Sequence, residues 1–287
     1  MSTPEQHDAV SGRAPRSEQV APAPGLPADP VGHAPDAEPA LQITELAKRF
    51  GSKIAVNGIT LSIPTGSFYG LVGPNGAGKT TTLSMATGLL RPDHGTVAVH
   101  GVDVWAHPVE AKRQIGVLGD GIRLFDRLTG RQLVTYTGML SGLDRPVVAE
   151  RTDELLALLD LTADAGQLVT DYSAGMTKKI ALACALIHAP RLLVLDEPFE
   201  SVDPVSAANI RDILAGYVRG GGTVIVSSHS MDLVQRMCDH VAVIAAGRVL
   251  AAGTTDEVRQ GQTLEDRFVE LVGGRHSEEG PAWLRNS

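Results

Sequence analysis

The pattern of apolar and polar positions changes character at Leu41. From there, apolar residues arrive in short runs of strand length. Leu41–Phe50 and Ile59–Ile63 predict two strands, followed by the turn Pro64-Thr65-Gly66. Phe68–Val72 is a compact apolar strand that runs into a glycine-rich turn, and Lys79–Leu90 predicts a helix. Thr96–His100 and Ile115–Leu118 are further strands. From about Asp126 to Pro190 the chain reads as mainly helical: Glu154–Leu161 is dense in leucine, and Ala174–Ile187 has an apolar face at helical spacing. Alternation then resumes. Leu192–Leu195, Thr223–Ser227, Val241–Ile244 and Val249–Ala251 predict strands. Pro204–Val218, Met231–Cys238 and Leu264–Val272 predict helices, the first with proline in its opening turn.

Strand–helix alternation on both sides of a helical insertion predicts an α/β fold with a parallel-sheet core and a helical lobe. Three regions follow: a tail over 1–40, a folded domain over 41–253 with its helical subdomain at about 121–190, and a short helical appendage over 254–287. The tail holds eight of the seventeen prolines and few large apolar residues, so it is expected to be disordered. Motifs occur once, so one nucleotide site's worth of parts is expected.

Composition narrows the class. The net charge of −8 argues against non-specific nucleic-acid binding, which depends on neutralising phosphates. Cys184 and Cys238 lack the spacing of a metal site and read as buried thiols in a reducing compartment. No apolar run approaches the roughly 18 residues of a membrane span, and no signal pattern opens the chain. A cytoplasmic location is expected, with any membrane role supplied by a partner chain.

Gly73-Pro74-Asn75-Gly76-Ala77-Gly78-Lys79-Thr80 matches G-x-x-x-x-G-K-[ST], between an apolar strand and a helix. Glycines let the loop wrap tightly, so that several backbone N–H groups face one anion. The helix that starts near Lys79 adds the positive end of its dipole. Lys79 is placed to reach the β- and γ-phosphates, and the Thr80 hydroxyl to bind Mg²⁺; Thr81 follows in the same turn. Leu192-Leu193-Val194-Leu195-Asp196-Glu197 is an apolar run ending in two acids. A buried strand delivers such acids at its C-terminal edge, where α/β sheets bind ligands. Asp196 is expected to hold Mg²⁺ and Glu197 to act as general base on the attacking water.

Four further segments resemble those of ABC (ATP-binding cassette) ATPases. Tyr172-Ser173-Ala174-Gly175-Met176 resembles the LSGGQ-type signature. Ser201-Val202-Asp203-Pro204 resembles the D-loop, and Ser227-Ser228-His229 the switch-histidine segment. Phe50 sits where that family places an aromatic against adenine. Each has a plainer reading: Ser173 as a helix cap, His229 as a loop-end residue, Phe50 as core. The resemblance covers about Leu41 to Gly253 and is strongest to bacterial transporters with separate ATPase and permease chains, the exporter-like branch above all. It implies a P-loop NTPase parallel-sheet core with an antiparallel β subdomain and an inserted helical subdomain. It also implies ATP and Mg²⁺ as ligands, and a second ATPase subunit stacked head to tail. Ser173 and Gly175 of one subunit would then face Lys79, Asp196, Glu197 and His229 of the other. Integral membrane permease subunits would be the further partners, and the chain would sit on the inner face of the membrane.

Two positions depart from that pattern. Asp120 stands where the family usually has Gln, so its reach to Mg²⁺ is shorter. Ala174 replaces the first glycine of the signature, adding one methyl group. With Lys79, both acids and His229 present, an active ATPase is expected. The helical lobe is expected to carry the permease groove, with Leu124, Phe125 and Leu128 either lining it or packing inside the lobe. The alternative function is a soluble ABC ATPase not tied to transport, such as a cluster-assembly type. A GTPase is disfavoured because the N-K-x-D motif is absent.

Overall fold

The computed structural model describes residues 38–121 and 124–273. In chain order the first elements are β1 (Leu41–Phe50), β2 (Lys53–Ile63), β3 (Phe68–Val72) and α1 (Lys79–Ala86). Strands β4 (His94–Val99) and β5 (Val102–Asp103), helix α2 (Pro108–Arg113) and strand β6 (Ile115–Leu118) follow. Helices α3 (Gly130–Leu140), α4 (Arg145–Leu158) and α5 (Ala174–Leu186) form the helical lobe. The chain then alternates through β7 (Leu192–Asp196), α6 (Pro204–Arg219), β8 (Thr223–Ser228) and α7 (Met231–Met237). The described residues end with β9 (His240–Ala245), β10 (Arg248–Thr254), α8 (Thr255–Arg259) and α9 (Leu264–Leu271).

Two sheets result. One is antiparallel, in the order β2-β1-β4-β5; the other runs β10-β9-β3-β8-β7-β6. In the second, β9, β3, β8, β7 and β6 are mutually parallel and β10 is antiparallel to β9. The parallel strands are covered on both faces, which is why they read as unbroken apolar runs. In β7, Leu193 and Leu195 enter the core shared with the helical lobe, and Leu192 and Val194 the core shared with the antiparallel sheet. In β8, Val224 and Val226 take the first core and Ile225 the second.

Several ends are set by local chemistry. Thr129 caps α3 with a reciprocal Gln132 contact, and Asp203 caps α6 ahead of Pro204. Helix α1 stops at Ala86, four residues short of the expected end. There the Thr87 hydroxyl donates back to the Leu83 carbonyl at 2.8 Å and Gly88 turns left-handed (φ 71°). Strand β2 begins six residues before the expected start. Its pairing with β1 shifts register at three points, which erases the period-two pattern. The expected tail ended at residue 40, but Ala40 is buried and its N–H donates to the Ile63 carbonyl at 2.9 Å. Residues 1–37 and 274–287, which hold most of the expected tail and part of the appendage, lie outside the described residues, as do 122 and 123.

Candidate functional site

Strands β3, β6, β7 and β8 are parallel, so their carboxyl ends share one edge of the sheet. The segments leaving that edge carry the candidate chemistry. After β3 the chain makes its glycine-rich loop. A Cβ on Gly73 would collide with the Ile244 carbonyl oxygen. Gly78 caps α1 with φ 107°, and a Cβ there would lie 2.5 Å from the Ala55 carbonyl oxygen. Glycine is demanded at both places by close backbone approach, and at Gly78 by backbone angle as well. Lys79 then points back across the loop, its Nζ donating to the Gly73 carbonyl at 2.8 Å.

Strand β7 ends in Asp196, only 4% exposed, which accepts a hydrogen bond from the Ser227 hydroxyl at the end of β8. The same hydroxyl oxygen accepts from the Glu197 N–H at 3.0 Å. Glu197 has a left-handed backbone (φ 46°). For a residue with a Cβ that conformation costs about 1–2 kcal/mol and persists only where surroundings impose it. Here the Glu197 carbonyl accepts from Lys178 Nζ at 2.9 Å and from the Glu200 N–H at 3.3 Å. The Glu197 carboxylate is thereby turned between two cationic or proton-bearing groups. Lys79 Nζ lies 3.5 Å from Oε1, and His229 Nδ1 lies 3.1 Å from Oε2. Because a carboxylate only accepts, the imidazole proton of that contact belongs on Nδ1.

These groups border a cleft of about 310 Å³. Residues Pro74, Asn75, Gly76, Ala77, Gly78, Lys79, Thr80 and Thr81 line it, with Asp120, Glu197 and His229. Three lining residues escaped the sequence reading: Lys53, Ala55 and Glu200. Phe50 was expected at this site; it is half exposed and does not line the cleft. It is the cross-strand partner of Lys53, which does, and the Lys48 ammonium sits 5.8 Å from its ring centre. Gly73 and Asp196 adjoin lining residues in sequence but are not themselves among those that line it.

Ser173, Gly175 and Asp203 do not join the cleft of their own chain. Ser173 is exposed and caps α5, accepting from the Met176 N–H at 3.2 Å. Gly175 is buried against α6: an added Cβ would meet Asp203 Oδ2 and Ser206 Oγ at 3.0 Å each. Asp203 accepts from Ser206 N at 2.9 Å and Val205 N at 3.0 Å. Hydrogen bonds from Ser206, backbone first and hydroxyl second, hold its carboxyl below the ordinary carboxylate range. In the lobe, Leu124 and Leu128 pack into the core, whereas Phe125 is 61% exposed and meets Tyr136 edge-on at 5.8 Å.

A loop of backbone donors around a lysine, closed by a carboxylate and a histidine, is built for a nucleotide's phosphates. Residues 56–200, half of the chain, match the ABC transporter family. The chain belongs to that family. A daunorubicin resistance ATP-binding protein of Streptomyces coeruleorubidus is 38% identical over 232 residues, covering 81% of this chain and 73% of the relative. A Nod factor export ATP-binding protein of Burkholderia lata is 35% identical over 246 residues, covering 86% and 79%. The solved structure of an ATP-binding subunit of an ABC transporter superposes with a TM-score of 0.76 at 27% identity, covering 81% of this chain and 99% of that one. As an ATP-binding subunit of this family, the chain binds and hydrolyses ATP to power transport. Its fold is the ABC cassette anticipated from the motifs. No helix among the described residues is long and apolar enough to cross a membrane.

Proposed function

We propose that two copies of this chain stack head to tail, close around two ATP molecules, and thereby drive an integral membrane permease on a separate chain. The observation that carries the reading is the meeting of Lys79 and His229 on the Glu197 carboxylate at the edge of one cleft. ATP is the substrate. Its phosphates would lie in the cradle of backbone N–H groups from Gly73 to Thr80, with Lys79 balancing their charge. Glu197 would take the proton of the attacking water, its carboxylate aimed by the His229 contact. Phe50 would stack on adenine beside Lys53.

Thr80, Asp196 and Asp120 are oxygen donors of the kind Mg²⁺ prefers, and would hold that ion together with phosphate oxygens. The ion would supply charge neutralisation as the terminal phosphate leaves. Ser173 and Gly175 stand away from the chain's own cleft, as parts offered to a partner's ATP would, and Asp203 belongs to the same contact face. The helical lobe would meet the permease at the inner face of the membrane, through exposed Phe125 and Tyr136. Resistance and export proteins among the relatives favour outward movement of cargo. The net charge of −8 gives nucleic acid no part in the reading.

Size-exclusion chromatography of Glu197→Gln protein with and without ATP tests it. A dimer that forms only with ATP, together with loss of hydrolysis, is expected. Wild-type hydrolysis by this variant would overturn the role of Glu197, and a monomer under ATP even with the permease present would overturn the shared-site dimer.

A further inference from the structure

Lys178 lies on α5, five residues after the Ser173 cap, and is half-buried. Its ammonium does not face solvent alone: it donates to the backbone carbonyl of Glu197 at 2.9 Å, across 19 residues of chain. That carbonyl belongs to a residue held in the left-handed region, which depends on outside fastening. The fastenings come from three places. Ser227 at the end of β8 takes the Glu197 N–H, the Glu200 N–H caps the carbonyl locally, and Lys178 reaches it from the helical lobe. The same helix touches this segment a second time, where Gly175 closes on Asp203 and Ser206. Helix α5 therefore grips the stretch from 197 to 206 near both ends.

We infer that Lys178 is a positioning residue, which sets the backbone of Glu197 and so ties the aim of its carboxylate to the seat of α5. The inference rests on the reading of Glu197 as general base. Its mechanical content is simple. Ser173, exposed at the start of α5, and Lys178, one and a half turns on, belong to one hydrogen-bonded helix and move together. A ligand or partner that reseats Ser173 thereby shifts the ammonium on the Glu197 carbonyl. A displacement of roughly 1 Å at a catalytic group can cost on the order of a hundredfold in rate.

The test is steady-state ATP hydrolysis by the full chain carrying Lys178→Met, Lys178→Arg, Glu197→Gln, or Lys178→Met with Glu197→Gln. Methionine keeps a similar apolar stem and removes the donor; arginine keeps a cationic donor. Lys178→Met is expected to lower kcat about tenfold or more with KM for ATP within about twofold, and Lys178→Arg to recover most of it. In the Glu197→Gln background, Lys178→Met should lower the residual turnover no further. Unchanged kcat in Lys178→Met would overturn the inference, as would a loss that multiplies with Glu197→Gln. If Lys178→Met does not fold, Lys178→Leu takes its place as the donor-less variant: kcat lowered with KM unchanged and recovered in Lys178→Arg supports positioning, and unchanged kcat overturns it. Should Glu197→Gln alone hydrolyse normally, the general-base reading falls instead, and that result is distinct from any of the Lys178 outcomes.

Discussion

His229 Nδ1 lies 3.1 Å from Glu197 Oε2, joining a half-exposed imidazole to a carboxylate that is 11% exposed. The histidine leaves the end of β8 and the glutamate the end of β7, so neighbouring strands set the pair. The contact restrains the carboxylate on the side opposite Lys79. His229→Ala should therefore lower kcat about a hundredfold while ATP affinity changes less than about threefold. Phosphate-release kinetics and calorimetric titration with ATP check the two halves separately.

Gly73 is hemmed in by backbone rather than by flexible side chains. A Cβ there meets the Ile244 carbonyl oxygen, which β9 holds rigidly, and comes 3.2 Å from the Ala77 methyl. Gly73→Ala should push the loop out of place, costing about 1–3 kcal/mol of stability and weakening ATP binding. Urea unfolding and nucleotide titration of the variant measure both.

Asp203 gives a pH signature. Its folded carboxyl is held below the ordinary range by hydrogen bonds from Ser206, so the unfolded chain binds the proton more readily. The stabilisation is complete above the unfolded carboxyl's value, near about 4, and is lost as pH falls through the lower folded value. The gap in urea midpoint between wild type and Asp203→Asn should be widest at about pH 6 and close in acid.

The two cysteines should be chemically silent. Burial pushes the Cys184 thiol up to about 11 and raises Cys238 further in the same direction. Neither should react with iodoacetamide at about pH 8 in the native protein, and both should react once it is unfolded. Mass spectrometry after each treatment counts the labels.

Much of the site was legible because its chemistry demands residue types in local order. The glycine loop leaves the end of β3 and leads into Lys79 and Thr80 at the start of α1, Asp196 and Glu197 stand at the end of β7, and the strands β3, β6 and β7 fall at their expected places. A sheet buried on both faces leaves continuous apolar runs, and such runs survive in a bare sequence. Asp120, assigned from its place after β6, does line the cleft. The irregular β1–β2 pairing left no clean alternation, so the start of β2, and with it Lys53 and Ala55, went unseen.

What the sequence determined by itself was the inventory: which strands are buried, which glycine-rich loop leaves β3, and which acids and which histidine stand at the strand ends. Only the tertiary structure decided who touches whom. Glu197 meets Lys178, Ser227 and His229 because parallel strands and a returning helix bring residues 19 to 32 positions apart to one carbonyl, one N–H and one carboxylate. It likewise drew Leu124 and Leu128 inward, left Phe125 outward, and set Ser173 apart from the cleft of its own chain. Spacing along a chain records order, whereas distance depends on strand register and crossover path, which packing of the whole core selects.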